Sequence, residues 1–178
     1  MKTAFRLKTT LPAPPSTVYR AWLSSVGHTA MTGSSATASD KEGGSFTARD
    51  GYISGKNLTL KPEWCIVQAW RTSRFAPSDP DSRLELCIHA AEGGSELLLI
   101  HTDIPAGQAE GYEGGWVTHY FGPMREYFAS GSGKKPASEK APARKSAKRK
   151  AAKKKTAKKR PPKKKFGKKK SARRTRRH

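Results

Sequence analysis

The sequence has no long apolar run. No stretch approaches the roughly 18 consecutive apolar residues that a helix needs to span a bilayer. The N-terminal segment, MKTAFRLKTTLPAPPS, alternates apolar with polar side chains and lacks the apolar core of a signal peptide. We therefore expect no transmembrane segment and no secretion. The expected location is intracellular, which means the nucleoid-associated cytoplasm in a bacterium or the nucleus in a eukaryote.

Cysteine is scarce, with only Cys65 and Cys87 in a chain of 178 residues. Neither belongs to a CxxC pair or a histidine-rich cluster, the spacings typical of metal and redox sites. We expect two reduced, structural thiols, because disulfides are rare in intracellular proteins. The segments GYISG and EGG lack the P-loop Lys-Ser/Thr and the GxGxxG spacing of phosphate-binding loops. The sequence therefore predicts no metal and no cofactor.

Acidic residues are almost missing from the last quarter of the chain. From Lys134 to His178 there are 24 of the 36 basic residues and one of the 14 acidic residues, Glu139. The preceding residues contain 12 basic and 13 acidic side chains, so they have a net charge of −1 in a chain of +22. A segment so charged, with Phe166 as its single aromatic, buries too little apolar area to offset its chain entropy. We predict a folded domain over residues 1–130 and a disordered basic tail over residues 131–178.

The tail is typical of a sequence-independent nucleic-acid anchor. Lys and Arg neutralise phosphates and release condensed counterions, and the tail has neither stacking aromatics nor a folded reading helix that would select bases. Its composition resembles the C-terminal tails of linker histones and histone-like bacterial proteins. We predict DNA as the partner and RNA as the second candidate, with polyphosphate and anionic membranes as alternatives. The predicted contacts to phosphate are Lys148, Arg149, Lys150, Lys153, Lys154, Lys155, Lys158, Lys159, Arg160, Lys163, Lys164, Lys165, Lys168, Lys169, Lys170, Arg173, Arg174, Arg176 and Arg177.

The first 130 residues predict an α+β fold. Residues 5–11, FRLKTTL, alternate as in a half-buried strand, and the next segment, PAPPSTVYRAWLSS, predicts a helix that opens at its prolines. Residues 24–42 are small and polar, and we interpret them as a short irregular helix and a loop. Five later segments, separated by turn signals, predict strands: SFTARD, YISGKNLTL, WCIVQAWRT, RLELCIHA and SELLLIHTD. The last two flank Gly93-Gly94 and predict an antiparallel hairpin.

The domain ends in a predicted aromatic helix. Residues 104–115, IPAGQAEGYEGG, predict a loop because glycine is frequent there. Residues 115–131 predict a helix, which Pro123 should bend because it removes one backbone donor. One face of this helix presents large residues about one turn apart: Trp116, Tyr120, Met124 and either Tyr127 or Phe128. Helices segregated from an antiparallel sheet are typical of the α+β class.

Several short motifs occur in a characteristic order. They are APPSTVYRAW, the GG-F at Gly43, Gly44 and Phe46, DGYISGKNLTLKP, IVQAWR, and a late IP…GW…YF…YF. Together they resemble the C-terminal domain of the activator of heat-shock protein 90 (Hsp90) ATPase, within the START/polyketide-cyclase-like helix-grip superfamily. The resemblance extends from about Phe5 to Phe128.

The resemblance implies a helix-grip fold, in which a curved antiparallel sheet wraps around a long C-terminal helix and leaves room for a cavity. In the superfamily, some members hold lipids, polyketides or other hydrophobic ligands there, and in the eukaryotic co-chaperone the domain contacts the Hsp90 dimer. The chain begins at the first strand of the matching domain, so we do not expect full ATPase activation. We predict an Hsp90 homologue and a hydrophobic ligand as further candidate partners.

The candidate cavity residues are large or titratable side chains on the last strands and the C-terminal helix: Trp70, His101, Trp116, His119, Tyr120 and Met124. His101 and Asp103 lie two residues apart and could form a general-base pair on one face of a strand. A histidine at the end of a strand that is hydrogen-bonded to a neighbour is the more frequent case, and no nucleophile elbow or paired-carboxylate motif supports catalysis. Our leading hypothesis is a non-enzymatic domain anchored to nucleic acid. The alternative is a hydrophobic-ligand binder or cyclase-like enzyme that uses the cavity.

Overall fold

A six-stranded antiparallel sheet forms the main layer of the computed structural model, which describes residues 3–131. The strands lie in the order β1-β6-β5-β4-β3-β2. Their bounds are β1 Phe5–Leu11, β2 Ser45–Ala48, β3 Ile53–Lys61, β4 Cys65–Thr72, β5 Ser82–Ala91 and β6 Gly94–Thr102. The predicted strands and the hairpin at Gly93-Gly94 are confirmed. The predicted phosphate contacts of the tail lie outside the described residues.

Two short helices connect the first two strands. α1 (Pro15–Trp22) begins with proline in its first turn, where a missing N–H costs nothing. α2 (Ser25–Thr32) is capped by Ser24, whose hydroxyl accepts a hydrogen bond from the Gly27 amide. The expected irregular helix and loop over residues 24–42 are thus confirmed. Among the helices of residues 3–131, none has the length and apolar character required to cross a membrane.

A helix of three segments closes the domain: α3 (Ala109–Trp116), a π-helical turn (Val117–Phe121) and α4 (Gly122–Ala129). The prediction of a loop up to residue 115 was wrong, because α3 begins at Ala109. Its three glycines lower helix propensity, but burial of Tyr112 and Trp116 outweighs that preference. Pro123 lies in the first turn of α4, and the π-helical turn before it accommodates the missing donor.

The core lies between the inner face of the curved sheet and the helices. Leu84, Leu86 and Ile88 alternate with exposed or half-buried neighbours along β5 and are at most 2% exposed. Met124 of α4 packs into the same core and is completely buried. The helix-grip architecture predicted from the motifs is confirmed.

Three buried polar side chains connect α1 to the sheet. The Trp22 indole Nε1 donates to Gln68 Oε1 at 3.3 Å, and Gln68 Nε2 donates to Asn57 Oδ1 at 2.7 Å. Asn57 Nδ2 in turn donates to the carbonyls of Ser39 and Lys41 at 2.7 and 3.1 Å. Because burial of an unpaired polar group is costly, this chain of hydrogen bonds fixes α1, β3, β4 and the 39–41 loop relative to one another.

The two cysteines form a disulfide, so the expectation of reduced thiols was wrong. Cys65 of β4 and Cys87 of β5 are directly opposite in the strand register, with their Cα atoms 4.2 Å apart. Non-hydrogen-bonded pairs of antiparallel strands bring opposite residues to about this distance. The separation of 22 residues between the two cysteines does not by itself predict this pairing. The pairing can be predicted only when the register of the two strands is known.

Candidate functional site

The space between the sheet and the C-terminal helix is filled largely by aromatic rings. Trp116 packs against Tyr120 with ring centroids 4.4 Å apart, and Trp70 packs against Tyr112 at 5.1 Å. Trp22 of α1 lies 6.3 Å from Trp116 in a stacked arrangement. These rings are nearly all buried. The cavity that the resemblance implies is therefore mostly occupied by side chains of the domain itself.

His101 is at the centre of this interior and is completely buried. Its Nδ1 accepts a hydrogen bond from the Trp116 indole Nε1 at 3.3 Å, so Nε2 carries the proton and donates to Ser82 Oγ at 2.9 Å. The Ser82 hydroxyl then donates to the carbonyl of Trp70 at 2.7 Å. Burial lowers the pKa of His101 to about 3. The imidazole is thus a neutral, doubly hydrogen-bonded group that holds two tryptophans in place.

The predicted pair of His101 and Asp103 is not formed. Asp103 follows the end of β6, has a φ of 59° and is exposed. Its carboxylate accepts a hydrogen bond from Thr102 Oγ1 at 2.9 Å and does not contact the imidazole. Since both ring nitrogens of His101 are occupied by Trp116 and Ser82, this histidine is not available as a general base. The geometry agrees with the alternative of a histidine hydrogen-bonded to its neighbours, and the burial of His101 in the core is a finding of the structure.

A second buried histidine, which the sequence did not single out, lies beside the same rings. Nδ1 of His28 donates to the carbonyl of Trp22 at 3.0 Å, and its ring is 4.7 Å from the Trp22 ring. Within residues 3–131, its Nε2 is buried without a hydrogen-bond partner. Burial lowers the pKa of His28, with the bond to Trp22 opposing the shift. His28 is therefore a second neutral imidazole of the interior.

A small open pocket remains at the mouth of this interior. It lies between the end of the β2–β3 hairpin, strand β4 and the first half of the C-terminal helix, and its volume is about 130 Å³. Four of the predicted cavity residues, Trp70, Trp116, His119 and Tyr120, line it. The other two, His101 and Met124, belong to the core beneath. The remaining lining residues are Arg49, Tyr52, Ile53, Arg74, Gly111, Tyr112 and Gly115.

The walls of the pocket are aromatic and its rim is basic. Trp70, Trp116 and Tyr120 are at most 3% exposed, whereas Arg49 is half-buried and Arg74 is exposed. Neither arginine forms an ion pair with a carboxylate of residues 3–131. The Arg49 guanidinium lies 5.9 Å from the centroid of the Tyr52 ring. The pocket therefore offers flat apolar surface beside two unneutralised guanidinium groups.

Arg49 also affects the titration of its neighbours. His119 is largely exposed, but partial burial lowers its pKa and the positive charge of Arg49 lowers it further, so His119 is a neutral imidazole at pH 7. Burial raises the pKa of Tyr120, an effect that Arg49 opposes. The hydroxyl of Tyr112 has its own partners, since Thr72 Oγ1 lies 2.7 Å away and Gln108 accepts its proton.

Sequence reasoning missed Arg49, Arg74 and the two glycines of the pocket. The arginines come from separate turns, after β2 and after β4, and nothing in the linear pattern brings them to one place. Gly111 and Gly115 are four residues apart and share a helix face, but only if residues 109–116 are already recognised as helical. Among the described residues, no cluster of three or more histidine, cysteine or carboxylate side chains could hold a metal ion.

Comparison with known proteins assigns the domain to a family. The model for "Activator of Hsp90 ATPase homolog 1-like protein" matches residues 12–129. The human activator of 90 kDa heat shock protein ATPase homolog 1 is 31% identical over 126 residues, which are 71% of this chain and 37% of the relative. The chain thus spans little more than a third of the length of that curated relative.

Solved structures agree with this result. An HSP90 activator from Plasmodium falciparum has a TM-score of 0.61 and 26% identity, covering 67% of this chain and 91% of the activator's chain. The Aha1 dimer from Colwellia psychrerythraea has the same TM-score at 11% identity, covers 71% of this chain and 96% of its own, and shows the fold alone. From the family match and the identity to the human relative, the chain belongs to the Activator of Hsp90 ATPase homolog 1-like family.

Proposed function

We propose that this chain is a non-enzymatic co-chaperone-like module with two binding activities. Its domain engages an Hsp90 homologue, and its basic tail anchors it to DNA, with RNA as the second candidate. The observation that carries the proposal is the combination of a family domain of net charge −1 with a C-terminal quarter that has 24 basic residues and one acidic residue. Function is argued from each part separately, because a shared fold alone does not transfer an activity.

The chaperone half of the proposal rests on the relatives. The human relative is named an activator of 90 kDa heat shock protein ATPase, and the structural neighbour from Plasmodium falciparum is named an HSP90 activator. The chain covers 37% of the former, so the activity of that whole protein does not come with the domain. We therefore propose binding to Hsp90 as the activity of this domain and leave stimulation of its ATPase as a quantity to measure.

The experiment for this half uses the full chain and the Hsp90 homologue of the same organism. Calorimetric titration should show saturable binding that survives neutralisation of the tail, and the ATPase rate of the Hsp90 homologue is recorded in the same samples. A variant with Gln in place of every Lys and Arg from Lys134 to Arg177 is the control for electrostatic association. If binding disappears with the tail charge, the domain does not recognise Hsp90 and this half of the proposal is wrong.

The nucleic-acid half rests on the charge of the tail. Neutralising phosphates and releasing counterions gives affinity that depends on composition and salt, and hardly on the order of residues. We would titrate fluorescent duplex DNA and single-stranded RNA with three full-length chains: the natural one, the Gln-neutralised one and one with the tail residues permuted. The natural and permuted chains should bind alike, and the neutralised chain should not bind. Equal binding by the neutralised chain would place the interaction in the domain.

A second candidate function, binding of a small molecule between sheet and helix, is supported by the pocket beside Trp116 and Tyr120. The pocket has room only for a small member of the hydrophobic ligands that the sequence suggested, and the geometry of His101 gives no support to a cyclase-like enzyme that uses it. A ligand that binds the native state raises thermal stability by mass action. Screening the full chain by thermal shift against small apolar and aromatic compounds tests this candidate, and a uniform absence of shifts would reject it.

A further inference from the structure

The pocket at the mouth of the interior has the size of one aromatic ring. Its volume is about 130 Å³, and a cavity of about 150 Å³ in another protein is sufficient to bind benzene. Trp70, Trp116 and Tyr120 supply three buried ring surfaces on its inner side. Aromatic groups pack well against such surfaces in offset or edge-to-face arrangements. A single flat ring is therefore the apolar group that fits.

The rim of the pocket favours negative charge. Arg49 and Arg74 approach it from two different turns, and neither has a carboxylate partner among residues 3–131. Arg49 is half-buried, a position in which an unneutralised guanidinium is less well hydrated than on the surface. Guanidinium groups bind carboxylates through charge-assisted and often bidentate hydrogen bonds. His119, on the same rim, adds a further polar group.

The helical wall is open because it lacks side chains at two positions. Apart from its chain neighbours and the backbone of its own helix, a Cβ atom added at Gly111 or Gly115 would meet no atom within 4 Å, so these glycines leave free space on the side of the pocket. The next turn of the helix, the π-helical Val117–Phe121, contains both His119 and Tyr120. Such turns interrupt regular α-helices at a cost in stability and often occur at functional sites.

We propose that this pocket binds a small aromatic carboxylate, with its ring between Trp70, Trp116 and Tyr120 and its carboxylate facing Arg49 and Arg74. The proposal rests on the second candidate function above and is independent of binding to Hsp90 or to nucleic acid. It assigns to that candidate an anionic ligand of one ring instead of a purely hydrophobic one. The bound ring replaces water on the aromatic walls, and the carboxylate gives the two arginines the acidic partner that the domain does not provide.

The test compares benzoate with its neutral analogue benzamide, using the full chain and NMR titration of the tryptophan indole N–H signals. Benzoate should bind about tenfold more tightly than benzamide, which corresponds to about 1.4 kcal/mol, and should shift the signals of Trp70 and Trp116. The Arg49→Gln variant should reduce the affinity for benzoate by about tenfold without weakening benzamide. Arg6→Gln, which removes the same charge from an exposed position on β1, should leave both affinities within about twofold.

A second pair of variants separates the pocket from the rest of the chain. Gly115→Leu should abolish detectable binding of both compounds by filling the pocket, whereas Gly114→Leu, on the same helix but outside the pocket, should not. All variants keep the tail, so weak association of benzoate with its lysines is common to all of them. Thermal denaturation of each variant confirms that it is folded.

Three results would overturn the proposal. The first is an absence of benzoate binding at millimolar concentrations, and the second is equal binding by the Gly115→Leu chain. The third is equal affinity for benzoate and benzamide. That third result, with binding still blocked by Gly115→Leu, would leave a neutral-ligand pocket and thus preserve the second candidate function. Benzoate-induced shifts that persist in the Gly115→Leu chain would report association outside the pocket.

Discussion

The domain and the tail use their residues in opposite ways. In the domain, single positions have defined partners: Gln68 joins Trp22 to Asn57, and His101 joins Trp116 to Ser82. In the tail, Lys and Arg recur in short similar units, and our account assigns the function to their number and density. A fold specified by position and a binding segment specified by composition should respond differently to the same kinds of change. The domain should be sensitive to where a substitution falls, and the tail only to how much charge it removes.

The largest expected effect is that of salt on the tail. If the tail engages 6–10 phosphates of duplex DNA, raising the salt concentration from 50 to 200 mM should lower the affinity of the full chain by about 10³- to 10⁵-fold. Permuting the order of the tail residues should leave that slope unchanged. Fluorescence anisotropy across a salt series measures it. If the slope depends on the order of residues, then DNA binding by the tail depends on the position of each residue, as the fold of the domain does.

The next effect concerns the buried histidine. Because the pKa of His101 is about 3 in the folded chain and near 6.5 when the chain is unfolded, the unfolded state binds more protons between these values. The contribution of His101 to stability is therefore complete above about pH 6.5 and is lost as the pH falls toward 3, by an amount on the order of a few kcal/mol. Urea denaturation from pH 7 to pH 4 should show this decline.

The matched control uses the exposed histidine of the pocket. His101→Gln should flatten the decline with pH, with His28 contributing to what remains, whereas His119→Gln should change the slope little. If the two variants give the same slope as the natural chain, the buried imidazole does not titrate with the shifted pKa that its environment implies.

A smaller effect is expected from the buried hydrogen bonds of β3 and β4. Gln68→Leu removes the hydrogen-bond partner of the Trp22 indole N–H and of Asn57 Oδ1, and both groups are buried. Because two buried polar groups lose a hydrogen bond, the free energy of unfolding should fall by about 2–4 kcal/mol. Lys56→Gln, at an exposed position beside Asn57, should change it by less than about 0.5 kcal/mol. Chemical denaturation measures both, and equal effects would show that the chain of hydrogen bonds contributes nothing specific.

The smallest effect should have opposite signs at two helical glycines. Gly114→Ala has open space around the new Cβ and should stabilise the domain by about 0.5–1 kcal/mol through helix propensity. At Gly27 the new Cβ would lie 2.8 Å from the Cα and the carbonyl oxygen of Ala21, so Gly27→Ala should destabilise the domain despite the same gain in propensity. If both variants shift the melting temperature in the same direction, the claim that the effect of a substitution in the domain depends on its position is contradicted.

Features that depend on local patterns were predictable from the sequence. Alternation along residues 5–11 and 84–88 correctly identified half-buried strands, and the ordered motifs correctly identified the fold. Helix α3 was not predicted, because its glycines resemble a loop until Tyr112 and Trp116 are seen to pack on the sheet. The disulfide was also missed, because it depends on the register of β4 and β5.

The candidate site was predictable only in part, and for a related reason. Aromatic residues on the final helix are recognisable by their spacing, and Trp116 and Tyr120, which the sequence proposed on that basis, line the pocket. Arg49 and Arg74 line the same pocket only because the turn after β2 and the turn after β4 lie at the same edge of it. A polar partner for His101 was expected within its own strand, at Asp103, but the fold supplies it from Ser82 on the neighbouring strand and Trp116 on the helix.

The most direct test of the two-part account measures both activities in one assembly. Duplex DNA is immobilised, the full chain is added at low salt, and the Hsp90 homologue of the same organism is passed over the surface. The account predicts that Hsp90 is retained in proportion to the bound chain, also with the permuted tail, and is not retained with the Gln-neutralised tail. Retention of the chain on DNA without retention of Hsp90, or equal retention of Hsp90 with the neutralised tail, would contradict it.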